Sequence, residues 1–161
     1  MDNTNVNNEE LNMEQKVTVR SIAGWPTGFR RIETQGDVTI PQEGTVRLPR
    51  SEIISQIQNG NRLFTGIDSR GSHATLYVED KATRLEVEFD SEAEKRTQSI
   101  ISTDIVQKLF SYKTIKTFEE KLKEIVVTRA EKYALTQIIK KLKLNDHEKI
   151  RIVENYTGYK I

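Results

Sequence analysis

The amino-acid sequence predicts an α+β protein: a small antiparallel β sheet or barrel with one short helix, followed by a bundle of three to four helices. Three observations carry this. Short alternating apolar segments, separated by Gly- and Pro-containing turns, occupy the chain up to about residue 90. Apolar residues at helical spacing, preceded by capping residues, occupy the rest. The charge also changes sign: Lys+Arg against Asp+Glu is 13 to 17 over residues 1–111, and 12 to 7 over residues 112–161. The division that follows is an arm (1–15), a β-rich module (16–90) and a helical module (91–161).

Residues 1–15, MDNTNVNNEELNMEQ, hold few apolar residues and no sustained period, so they read as a flexible arm. Lys16–Ile22 sets Val17, Val19 and Ser21 on one face, against Thr18 and Arg20 on the other, as in a half-buried strand. A turn at Gly24–Gly28 leads to a second strand, Phe29–Ile32. Turns at Gln35–Asp37 and Pro41–Gly44 bracket a third, Val38–Ile40, and a fourth follows at Thr45–Leu48. Pro49 cannot continue a ladder, and Ser51 suits the N-cap of a two-turn helix, Glu52–Gln58, with Ile53, Ile54 and Ile57 inward. Gly60 suits the left-handed position that ends it. Strands are expected at Arg62–Gly66 and His73–Val78, around a polar loop at Ile67–Ser72. In Lys81–Phe89 the alternation of Leu85, Val87 and Phe89 fits a strand, while the start also fits a helical turn.

Glu92–Arg96 reads as a charged linker, helical in part. Ser102 or Thr103 caps a helix bearing Ile105, Val106, Leu109 and Phe110. Thr117 or a neighbour starts another, bearing Phe118, Leu122, Ile125 and Val126. Thr128 and Glu131 form a capping-box pattern opening a helix to about Leu142. Asn145 and Glu148 repeat that pattern before a last helix with Ile150 and Val153, stopped by Gly158. Helices of this length need a surface to pack against.

An apolar fraction of 35% against a charged fraction of 30% predicts a modest core, with part of the chain ordered by a partner. The chain has no cysteine, which removes disulfides, thiolate metal sites and thiol nucleophiles. No apolar run approaches the ~20 residues of a membrane span. Residues 1–15 lack the apolar core of a signal peptide.

The search for chemistry returns little. Neither histidine, His73 or His147, has a second ligand at metal spacing within its own element. Gly66-Ile-Asp-Ser-Arg-Gly71-Ser72 has the glycine spacing of a phosphate loop but lacks the lysine, and a strand rather than a long helix is expected after it. It retains the capacity to cup an anion with backbone N–H groups and Arg70. Asp68, Ser72 and His73 are the residue types of a hydrolytic triad, but adjacent strand residues face opposite ways. The acids of Glu86–Asp90 alternate with apolar residues, as on a solvated strand face. The expectation is a protein that is not an enzyme and uses no metal or cofactor.

Two candidate binding surfaces remain. One combines sheet cations and aromatics: Arg20, Trp25, Phe29, Arg30, Arg31, Arg47, Arg50, Arg62 and Phe64. Stacking aromatics and phosphate-following cations suit single-stranded nucleic acid. The plainer alternative makes Phe29 and Phe64 core and the arginines ordinary surface. The other surface is lysine-rich: Lys121, Lys123, Lys132, Lys140, Lys141, Lys143 and Lys149, on helices that can be drawn as a helix-turn-helix. A solvated helix face explains the same lysines.

The stretch QNGNRLFTGIDSRGSHATLYVED and the ending KLKLNDHEKIRIVENYTGYKI resemble small proteins of unassigned role in tailed phages and prophages of gut Firmicutes. The resemblance covers most of residues 16–161 and rests on no catalytic motif. It implies a phage setting, in the virion or the host cytoplasm. Small α+β proteins there are often virion accessory parts, or inhibitors of host defence nucleases of the anti-CRISPR kind. The leading expectation is a virion-associated accessory protein that binds other proteins or its own copies. Nucleic-acid binding is the alternative.

Overall fold

A computed structural model describes residues 11–161. The first part of the chain runs β1 (Lys16–Ser21), β2 (Thr27–Arg30), β3 (Asp37–Ile40), β4 (Thr45–Pro49), α1 (Arg50–Gln58), α2 (Arg62–Thr65), β5 (Leu76–Val78) and α3 (Lys81–Glu86). Four helices follow: α4 (Thr103–Phe110), α5 (Ile115–Ile125), α6 (Arg129–Leu142) and α7 (His147–Thr157). The α+β class is as expected, with antiparallel sheets first and helices packed together after them.

β1 is the middle strand of a three-stranded antiparallel sheet in the order β4-β1-β5. Its alternation buries Val17, Val19 and Ser21. The register places Val17 opposite Leu48, and Val19 between Val46 and Val78. β2 and β3 form a separate hairpin that turns Val38 and Ile40 inward. One core gathers these residues with Ile53, Ile57, Phe64, Leu76 and Phe89. A second gathers Val106, Leu109, Phe118, Leu122, Leu135, Ile139 and Val153 from α4–α7, together with Ile22 and Ala23 just after β1. The lobes therefore have separate cores, and the first lobe contributes directly to the second.

Helix ends follow the side chains that satisfy free backbone N–H groups. Asn61, Asp80, Ser102, Thr114, Thr128 and Asp146 each accept from a first-turn N–H. The capping box of Thr128 and Glu131 is complete. Gly158 ends α7 with φ +81°, and Gly60, at φ +77°, follows α1 as expected.

Several local expectations fail for identifiable reasons. Arg62–Thr65 is a helical turn rather than a strand, because Asn61 caps it. His73–Val78 is strand only from Leu76, since His73 takes φ +58°. Asp80 caps α3, and Glu88, at φ +65°, breaks the alternation that suggested a strand there. Pro49 sits opposite Lys16 at the end of an edge strand and is itself the N-cap of α1, in place of Ser51. Glu92–Arg96 is a turn closed by bridge pairing of Ser91 with Arg96, not a helix. Thr114 replaces Thr117 as a cap, and Asp146 replaces Asn145. Part of the arm is pinned: Met13 and Gln15 carbonyls accept from the first N–H groups of α1. Residues 1–10 lie outside the described residues.

Buried charge ties the first lobe together. The Arg50 guanidinium, 3% exposed, donates to Thr83, to Asp80 and to the Asn12 carbonyl. Arg84 pairs with Asp90 and donates to the Val78 carbonyl. Glu52 accepts from the N–H groups of Ile32 and Glu33 and from Gln56, which fixes the base of the β2–β3 tip to α1.

Removing one member of a buried pair leaves the other charge unpaired, so Arg50→Met is expected to lower unfolding free energy by about 3 kcal/mol in urea titration. Burial raises the Glu52 and Asp80 pKa values, but their hydrogen bonds, with Arg31 near Glu52 and Arg50 near Asp80, outweigh it and hold both below the ordinary carboxylate range. The unfolded chain then binds protons more readily than the folded one. Stability from these groups is present above the ordinary carboxylate range and drains away as pH falls through the lowered values. Urea midpoints measured down the pH scale should show that fall, and Glu52→Gln should flatten it.

Candidate functional site

The lobes meet along the first turns of α6, and each side of that contact is polar. On one side Glu131 accepts from the N–H groups of Val127 (3.0 Å) and Thr128 (3.1 Å). The same carboxylate lies 2.8 and 2.9 Å from His73 Nδ1. A carboxylate only accepts, so Nδ1 carries the proton and Nε2 is left for other contacts. On the other side the Tyr133 hydroxyl accepts from Gln42 and donates to Glu43. Burial and the nearby Glu43 carboxylate raise the Tyr133 pKa. Its ring lies flat against Gly24, where a Cβ would stand 2.6 Å from three ring carbons.

A groove opens beside the His73–Glu131 contact. On the helical side a hollow of about 450 Å3 is walled by Ile100, Ile101, Ile105, Leu109 and Ile125, with Tyr112, Lys108, Lys121 and Glu124 around them. On the sheet side a more polar hollow of about 390 Å3 is lined by Arg62, Thr65, Ile67, Ser69, Thr75 and Thr128. His73 lines both. Its left-handed backbone costs about 1 kcal/mol or more for a residue with a Cβ, and such strain collects where a side chain must be aimed. Two large apolar side chains stand out to solvent here: Ile67, 64% exposed, and Val127, 40% exposed and next to Thr128.

Comparison with protein-family models, curated proteins and solved structures returned no match. The site therefore stands on its geometry.

The loop before His73 is closed on itself. Asp68 accepts from the N–H groups of Arg70 and Ser72 and from the Ser72 hydroxyl, with Arg96 3.6 Å away. Burial opposes its charge, but these contacts prevail and lower its pKa. The chain's own carboxylate thus takes the N–H groups expected to cup an anion, and Arg70 pairs with Glu94. Ser72 and Asp68 do meet, but His73 turns to Glu131, so the three triad residue types do not form a relay. Gln98 and Arg96 donate to the carbonyls of Gly71, Phe89 and Arg70, which fixes this loop to the segment after α3.

The candidate sheet residues are dispersed. Arg30 and Arg31 share a hollow with Thr34, Gln35 and Gly36 at the β2–β3 tip. Arg47 is exposed on β4, and Arg62 lines the groove. Arg50 is a core residue and offers no surface. Phe64 is fully buried and is no stacking platform, and Phe29 is half-buried with its ring edge-on to Phe64 at 5.5 Å. Trp25 packs on the second core, and Arg129 covers its ring at 4.6 Å. Among the lysines, Lys140, Lys141 and Lys143 are exposed at the end of α6. Lys141 shares a third hollow with Arg20, whose guanidinium pairs with Glu79. Lys149 is buried, donating to the Phe110 and Tyr112 carbonyls at the end of α4 (both 2.6 Å). That lysine fastens two helices together.

Among the described residues, no three His, Asp or Glu side chains come together as metal ligands. Sequence reasoning missed the His73–Glu131 contact. Glu131 already had a local explanation as a capping residue, and the pair is separated by 58 positions.

Glu131 serves three donors at once, so Glu131→Ala is expected to cost roughly 2–3 kcal/mol, more than an ordinary cap. In a double-mutant cycle with His73→Ala, read by urea unfolding, the two losses should fall short of adding by about 1 kcal/mol.

Proposed function

We propose that this chain is a non-enzymatic binding protein of a tailed phage, a virion-associated accessory part that works by holding another protein. One observation carries the reading. Most apolar side chains of α4–α7 are closed within the second core, and the large apolar side chains left outside include Ile67 and Val127 beside the inter-lobe groove. Exposed apolar residues rimmed by polar ones beside a concave surface suit protein contact. The resemblance of residues 16–161 to small phage proteins supplies the setting, in the virion or the host cytoplasm. Among the described residues, no helix is long and apolar enough to cross a membrane.

Nucleic-acid binding is a second reading, favoured by one feature: Arg30 and Arg31 meet at a single hollow on the hairpin tip. Its aromatic support is weakened, because Phe64 is fully buried, Phe29 is half-buried against it and Arg129 covers the Trp25 ring. It also loses Arg50 and Lys149 to the interior.

Mass spectrometry of purified virions should find the chain, and the Ile67→Asp/Val127→Asp double variant should be incorporated at about a tenth of the wild-type level or less while its thermal midpoint holds. Virions without the chain would end the accessory reading. Filter binding of single-stranded DNA across salt concentrations tests the second reading, which requires retention at low salt that Arg30→Glu/Arg31→Glu removes.

A further inference from the structure

The linker between the lobes holds an unusual resource. Ser99, Ile100 and Ile101 lie in no helix or strand and line the helical hollow of the groove. Among the described residues, their backbone N–H and C=O groups have no backbone partner. Gln98 before them is fixed by its N–H to Asp90 and by its amide to Gly71, and Ser102 after them caps α4. The three residues are thus anchored at both ends with open hydrogen-bonding groups between. Unpaired backbone beside a concave surface is what an added strand of another chain recognises.

The walls say what such a strand carries. Ile105 and Ile125, both half-buried, offer an apolar seat over the buried Leu109. Lys108 has no ionic partner among the described residues, and Lys121, half-buried, meets only the exposed Glu124, at 3.7 Å. Glu131 is already held by His73 and two N–H groups. Lys108 and Lys121 are thus the cations the hollow offers a visitor, with Glu124 beside them and the Glu131 carboxylate capped and hydrogen-bonded at the His73 end.

We propose that the groove takes an extended segment of a partner protein, apolar in its centre and flanked by carboxylates. The segment hydrogen-bonds to the backbone of Ser99–Ile101, sets apolar side chains against Ile105 and Ile125, and brings its acids to Lys108 and Lys121. This rests on the reading of the chain as a protein-binding part and names the class of segment it holds.

The probes are two fluorescein-labelled octapeptides, acetyl-Asp-Asp-Val-Ile-Val-Ile-Asp-Asp-amide and the same peptide with lysine at every aspartate, titrated with the full chain by fluorescence anisotropy. The acidic peptide should bind about tenfold or more tightly than the basic one, and Lys108→Glu/Lys121→Glu should invert that order. N-methylation of alternate residues of the acidic peptide should weaken binding by a similar factor, because it removes backbone donors while leaving side chains in place. Circular dichroism melts check that the variant is folded. The inference is wrong if neither peptide binds by about millimolar concentration, if both bind alike, or if the variant keeps the wild-type order. Virion incorporation separates the two readings. A chain still incorporated when Lys108→Glu/Lys121→Glu is present overturns the groove assignment and leaves the accessory role standing. A chain absent from virions that nevertheless binds the acidic peptide through these lysines supports the groove and removes the accessory role.

Discussion

The arrangement of the molecule depends on one carboxylate. Glu131 closes the capping box of α6, receives the N–H groups of Val127 and Thr128, and holds His73 from the other lobe. The start of a helix is electropositive, so a carboxylate is stable there even when buried. The helix that anchors the second core is thereby tied to the loop that leads into β5. On its other face, Tyr133 lies on Gly24 and bonds to Gln42 and Glu43. Two contacts on opposite sides of one helix resist rotation of the lobes in a way that a single contact would not.

The first lobe is ordered by its apolar core and by charge pinned in loops. Arg50, Arg84 and Arg96 reach backbone carbonyls as well as acids or hydroxyls. A chain with a modest apolar fraction has long irregular stretches whose backbone groups cannot all pair with one another. A guanidinium, with five donors in a fixed plane, satisfies several of them at once. The cost is paid in charge that a different surface would have used, and Arg50 is the clearest case.

How much of this was legible in the sequence depends on the range over which each feature is decided. The alternation of Val17, Val19 and Ser21, the stripes of the late helices, the Thr128–Glu131 capping box and the stop at Gly158 are set by neighbours a few residues apart. They were readable for that reason. Arg62–Thr65 and Lys81–Glu86 were harder, since a side-chain cap overrode a short run of apolar residues. The burial of Arg50 and Lys149 was not readable, because it depends on acceptors brought from 30 or more positions away. The inter-lobe groove is of the same kind. Its histidine sits in a loop, its carboxylate caps a helix, and its open backbone lies in a linker with no pattern.

The sharing of Ile22, Ala23 and Trp25 with the second core has a consequence for synthesis. The first lobe is built from one continuous stretch ending near residue 98, so all of its core residues leave the ribosome before α6 is made. Until then that short apolar ledge faces water. The nascent chain is most prone to stray association during this interval, and α6 is the element whose arrival ends it.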